Sequence, residues 1–136
     1  MIFSSGYKER HIEAGAKVLV YRNLNNGLWS VKAVEGLFKG KVVGHFKALS
    51  LVNVDSGNMI KLSRKSQERA RRERTRNVHA FIAGSIVAVN EQVTAIGKRI
   101  TYIPFIHDTF TIVATGNEWD GIGKAAHFTN GQCYIA

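Results

Sequence analysis

The chain has 136 residues, 45% of them hydrophobic, and a formal net charge of +9. That length fits one domain with a core of its own. The single cysteine, Cys133, excludes an internal disulfide and points to a reducing cytoplasm. No apolar run approaches the roughly 20 residues of a membrane helix, and the amino terminus lacks the pattern of a signal peptide.

In chain order, residues 1–15 read as a flexible amino-terminal arm and residues 16–136 as a single globular domain. KVLVYR (Lys17 to Arg22) and LWSVKA (Leu28 to Ala33) read as strands flanking NLNNG, whose Asn26-Gly27 favours a tight hairpin turn. Val42 to Val54 is long for one strand, and a bend is expected at Gly44 or near Ser50. Asp55 to Asn58 reads as a turn and Met59 to Leu62 as a short strand.

The segment from Arg64 to Arg76, RKSQERARRERTR, breaks this pattern. It holds seven basic residues (Arg64, Lys65, Arg69, Arg71, Arg72, Arg74 and Arg76) against Glu68 and Glu73, a net charge of +5. More than half of the chain's excess charge therefore lies in a tenth of its length. Its residues favour a helix, with Ser63 or Ser66 as the N-cap. Ala70 is its only aliphatic side chain, so such a helix has no face to press into a core and belongs on the surface. Six of its seven cations are arginine, whose rigid fork matches phosphate geometry.

Beyond it, Val78 to Val89 alternates as a core strand with a bulge expected at Gly84. Glu91 to Ile96 reads as one helical turn, and Arg99 to Ile103 as a strand stopped by Pro104. Thr109 to Val113 and Gln132 to Ile135 read as strands, and Ala114 to Lys124 as a glycine-rich loop. The expected fold class is α+β: mostly antiparallel β, as a small barrel or curved sheet, with one surface arginine-rich helix.

Little else carries chemistry. The histidines His11, His45, His79, His107 and His127 stand at no zinc-finger spacing, and no metal or cofactor is expected. No nucleophile elbow or phosphate loop is present, and Cys133 in a strand reads as an inert thiol. His79, just past the arginines, is the catalytic candidate for a small metal-free nuclease, with His45 or His107 as partner. The competing reading of His79 is a residue at the start of a core strand. Trp119 is the aromatic ring best placed in a loop to stack on a base, or else an anchor for that loop.

Four segments, YRNLNNGLWSVKA (21–33), GKVVGHFKALSLVNV (40–54), RRERTRNVHAFIAG (71–84) and RITYIPFIHDTF (99–110), resemble a family of small, basic, uncharacterised proteins of tailed bacteriophages and some bacteria. The resemblance implies a phage or bacterial cytoplasmic setting and carries over no catalytic residue.

The expected function is a nucleic-acid-binding accessory protein, DNA-directed rather than RNA-directed. Arg64, Lys65, Arg69, Arg71, Arg72, Arg74 and Arg76 would contact phosphates, with Trp119 as the candidate stacking ring. The rival is an inhibitor or modulator of a host protein with an acidic surface. No membrane partner is expected, and both a monomer and a homodimer fit the pattern.

Overall fold

A computed structural model describes residues 1–23, 26–56, 65, 68, 72, 82–91, 97–101 and 110–136. The alternation of apolar and polar residues becomes strands that each turn one face inward. A two-stranded ribbon pairs β1 (Ile2–Phe3) with β2 (Ile12–Glu13). The main sheet comprises β3 (Lys17–Arg22), β4 (Trp29–Ala33), β5 (Val42–Phe46), β6 (Leu49–Asp55), β7 (Ile82–Val89), β8 (Lys98–Thr101), β9 (Thr111–Ile112), β10 (Ile122–Thr129) and β11 (Gln132–Ile135). Its nine strands run in the order β5-β4-β3-β7-β6-β10-β11-β8-β9, and every pairing is antiparallel.

The sheet curls on itself. β4 and β10 lie four strand steps apart, which in a flat sheet would separate them by roughly 19 Å. Yet Trp29 of β4 meets Phe128 of β10 edge to face, with ring centroids 4.8 Å apart. Val18, Val20, Val31, Phe46, Leu51, Ile82, Ile86 and Ala126 fill the interior around this pair. Two register shifts, between Val31 and Lys32 and between Ser50 and Leu51, help the sheet bend.

The fold departs from expectation in specific places. The segment 42–54 divides at Lys47-Ala48, and the register shift between Ser50 and Leu51 falls where a bend near Ser50 is expected. Gly84 does not divide β7. It lies in continuous strand where a Cβ would stand 3.1 Å from the Leu51 Cβ and the Val52 carbonyl, so its role is close approach to β6. The β3–β4 turn spans Asn23 to Leu28, with the Gly27 N–H bonded to the Asn23 carbonyl at 2.9 Å and Gly27 at φ 70°. The region 114–124 gives way at Ile122 to β10, the strand that joins the two halves of the sheet. The first fifteen residues are docked: Phe3 and Ile12 enter the core, and the Gly15 N–H bonds the Ile86 carbonyl at 2.7 Å.

The α+β class with an arginine-rich helix is overturned. Among the described residues 55% lie in strands and 6% are helical, with no helix of seven residues or more. The physical reason is visible in the core. Strands with period-two alternation enclose it, so it needs no helical layer, and a segment without an apolar stripe could not supply one. Of residues 64–76 the structure describes Lys65, Glu68 and Arg72, all exposed. The strand expected at 59–62 and the bulk of the helical turn expected at 91–96 lie outside the described residues.

Because Phe128 closes the curl, Phe128→Ala should cost about 3–5 kcal/mol, read as a fall in the midpoint of urea unfolding. A cost below about 1 kcal/mol would mean that the Trp29–Phe128 contact does not hold the halves together.

Candidate nucleic-acid interface

The basic segment lies in the connection that leaves β6 and returns in β7, and both ends of that connection are tied down. Ser56, just past β6, is buried. Its N–H bonds the Gly121 carbonyl at 2.8 Å, and its Oγ accepts the Ala83 N–H at 2.7 Å. Asp55 stands opposite Ile122 on one side, and Ile82 opposite Val20 on the other. The segment is thus carried between two anchored strand ends. Lys65 and Arg72 are exposed. Arg64, Arg69, Arg71, Arg74, Arg76 and the catalytic candidate His79 lie outside the described residues, as does His107.

Trp119 is placed as an anchor. It is 5% exposed, and its ring meets Phe110 edge to face at 5.5 Å. Its indole N–H donates to the Ile122 carbonyl at 3.2 Å, and its backbone N–H to the Phe110 carbonyl at 2.8 Å. A ring so enclosed holds its loop and offers no face for a base.

Two histidines meet buried serines. Ser30 Oγ lies 2.8 Å from His45 Nδ1, and Ser50 Oγ lies 3.0 Å from His127 Nδ1. In the first pair the Asn23 amide also donates to Ser30 Oγ at 3.2 Å, which occupies one of the hydroxyl's two lone pairs. Which atom of the pair donates follows the tautomer of His45. Its ring also packs edge-on against Tyr7 at 4.7 Å, and its backbone N–H donates to Ser5 Oγ at 3.1 Å. These contacts pin the amino-terminal segment to β5. Ser30 and Ser50 are sealed from solvent, so neither hydroxyl is placed to attack a substrate. Cys133 is also buried, and burial pushes its thiol pKa up, away from the reactive thiolate. Among the described residues no group of three His, Cys, Asp or Glu could hold a metal ion, and no helix is long and apolar enough to cross a membrane.

One cation escaped the sequence reading. Arg22 ends β3 in the inward register of Val18 and Val20, directly opposite Trp29. Its guanidinium carbon lies 5.3 Å from the centre of the Trp29 ring. The β10–β11 turn passes close by: a Cβ on Gly131 would stand 3.3 Å from a guanidinium nitrogen. Partial burial pulls the pKa of Arg22 below its ordinary value. The signal was present in KVLVYR, whose alternation sends every second residue inward and makes the last of them an arginine.

His45 gives a pH dependence. Burial holds its pKa below the ordinary value near 6.5, so the unfolded chain takes up a proton that the folded chain resists. The stability linked to His45 is complete above about pH 6.5 and is lost as pH falls through the lower folded value. The urea midpoint should therefore fall on acidification below about pH 6.5, and less steeply in His45→Gln. Equal slopes in the two proteins would show that His45 titrates alike in both states.

The comparisons with known proteins agree on one relationship. The family model of the Mycobacterium phage L5 gene 82 protein matches residues 11–136. The gene 82 protein of Mycobacterium phage L5 is 35% identical over 100 residues, covering 69% of this chain and 75% of that protein. No solved structure matches. The family match takes in the whole curled sheet and the connection that carries the arginines, and the chain belongs to the Mycobacterium phage L5 gene 82 protein family.

Proposed function

We propose that this phage-family protein is a nucleic-acid-binding accessory protein that grips DNA phosphates through its basic segment. The observation that carries this reading is the concentration of charge. Residues 64–76 hold a net +5 of the chain's +9, supplied mostly by arginine. The two cations of the segment that are described, Lys65 and Arg72, are exposed. Solubility alone would be met by scattered lysine and glutamate, whereas clustered arginine suits bidentate contact with phosphate. Binding of this kind releases counterions and is read out as a dependence on salt.

The test is a gel-shift series with duplex DNA, single-stranded DNA and RNA at several salt concentrations. If all seven cations neutralise duplex phosphates, the log–log slope should be about −6. Replacing Arg69, Arg71 and Arg72 together by Glu should weaken binding and make the slope shallower by about three. Absence of binding at low salt, or binding indifferent to salt, would sink the reading. A bacterial protein retained from nuclease-treated lysate, with no shift of nucleic acid, would instead favour the modulator of an acidic host surface.

A further inference from the structure

We infer that residues 4–10 are a strap latched across the outer edge of β5 by His45, closed while His45 is neutral and opened when it takes up a proton. β5 is the first strand in the order of the sheet, so among the described residues no strand pairs with its outer edge. An open edge invites pairing with other chains, and natural sheets cover it. Here the strap covers it with side chains. Ser5 Oγ accepts the His45 N–H at 3.1 Å, and the Arg10 guanidinium donates to the Val42 carbonyl at 2.9 Å. The Tyr7 ring closes on the His45 ring edge to face at 4.7 Å. The strap is held at both ends, because Phe3 before it and Ile12 after it enter the core. It is also strained: Lys8 and Glu9, consecutive and neither of them glycine, hold φ at 49° and 56°. Side chains rarely adopt that left-handed region, and a strained segment stays closed only while its contacts hold it. Weakening one latch therefore shifts the strap towards opening between its two fixed ends.

His45 is the latch that titrates. When it is neutral, its Nδ1 can accept the hydroxyl hydrogen of Ser30, 2.8 Å away in a buried site. When it is protonated, Nδ1 is a donor, and Ser30 Oγ already accepts from the Asn23 amide at 3.2 Å. The hydroxyl would then hold two incoming donors and would have to turn its own hydrogen elsewhere. Charge acts in the same direction. Lys8 Nζ lies 5.5 Å, and the Arg10 guanidinium carbon 5.8 Å, from the centre of the Tyr7 ring that His45 meets. Lys32 follows Ser30 on the same face of β4, and Lys47 lines the cleft of about 690 Å³ that His45 shares with Ser4 and Ser5. Against these cations stand Glu91 on the wall of that cleft and Glu9 in the strap itself. A proton on His45 adds one more positive charge to the group, and partial burial also resists it. Opening relieves the burial and the crowding together, so the open strap binds the proton better. By linkage the closed strap is at full strength above about pH 6.5 and is lost as pH falls through the lower value that His45 holds when closed. Opening uncovers the edge of β5 and removes one wall of the cleft.

Amide hydrogen exchange of the full chain, followed by NMR from about pH 7.5 to about pH 5 and corrected for the intrinsic pH dependence of exchange, tests the switch. Two amides report on the strap: Arg10 N–H, bonded to the Tyr7 carbonyl at 3.0 Å, and His45 N–H, bonded to Ser5 Oγ. Their protection should fall at least about threefold across that range, while amides of the central strands β3 and β6 keep theirs. In His45→Gln, residue 45 takes up no proton, so protection at Arg10 should be independent of pH, whatever its level. Protection in the unaltered chain that does not change with pH, a fall that persists in His45→Gln, or an equal fall in β3 and β6 would overturn the switch. Should His45→Gln fail to fold, the unaltered chain decides. Arg10 N–H must lose protection over the pH range in which the His45 imidazole titrates, and loss over a separate range overturns the switch.

Discussion

The contact between Trp29 and Phe128 is the constraint on which the rest of the molecule depends. It joins strands four steps apart in the order of the sheet, so it exists only if the sheet curls. Once it is made, the inward residues of β3, β6, β7 and β10 share one interior. Each aromatic ring buries a large apolar surface, and an edge-to-face pair adds about 0.5–1.5 kcal/mol beyond that burial. The curl also settles what the outer face does. Ser30 and Ser50 are polar residues of β4 and β6 that find His45 and His127 on neighbouring strands instead of water.

The connection between β6 and β7 leaves and rejoins a core that, among the described residues, strands enclose. Its ends are fixed by Ser56, which bonds both Gly121 and Ala83. A long connection between paired antiparallel strands is unusual where a short hairpin would serve, and such insertions commonly carry function. Here the insertion carries most of the net charge. On the proposed reading the arrangement separates two tasks: the sheet supplies stability, and the basic segment meets a polyanion.

The strands were legible where alternation was strong. KVLVYR, LWSVKA and QCYI lie where their patterns put them, because half-buried strands write a period of two into the sequence. β10 was not legible. Its sequence, IGKAAHFT, begins with exposed Ile122 and buries chiefly Ala126 and Phe128, so its inward residues are small or few. The short ribbon of β1 and β2 was missed for the same reason, since two residues cannot show a period. The arginine-rich segment misled the fold class. Helix propensity is a local preference, whereas fold class depends on which faces must be buried, and this segment has none. Of the candidate site, exposure at Lys65 and Arg72 was legible. The burial of Trp119 was not, because it depends on Phe110, nine positions away in sequence.

Trp29 links the interior to the surface. Its indole N–H is buried and finds no acceptor among the described residues, an arrangement that costs about 1–3 kcal/mol. A core chosen for stability alone would be served as well by phenylalanine, which packs on Phe128 without that cost. What the indole adds is the strongest cation-binding face among the aromatic side chains, and Arg22 lies over it. The attraction, about 0.5–2 kcal/mol, offsets part of the cost of partly burying a guanidinium. The ring that closes the fold therefore also stacks a cation, and a change at Trp29 should be felt both in stability and in the placement of Arg22.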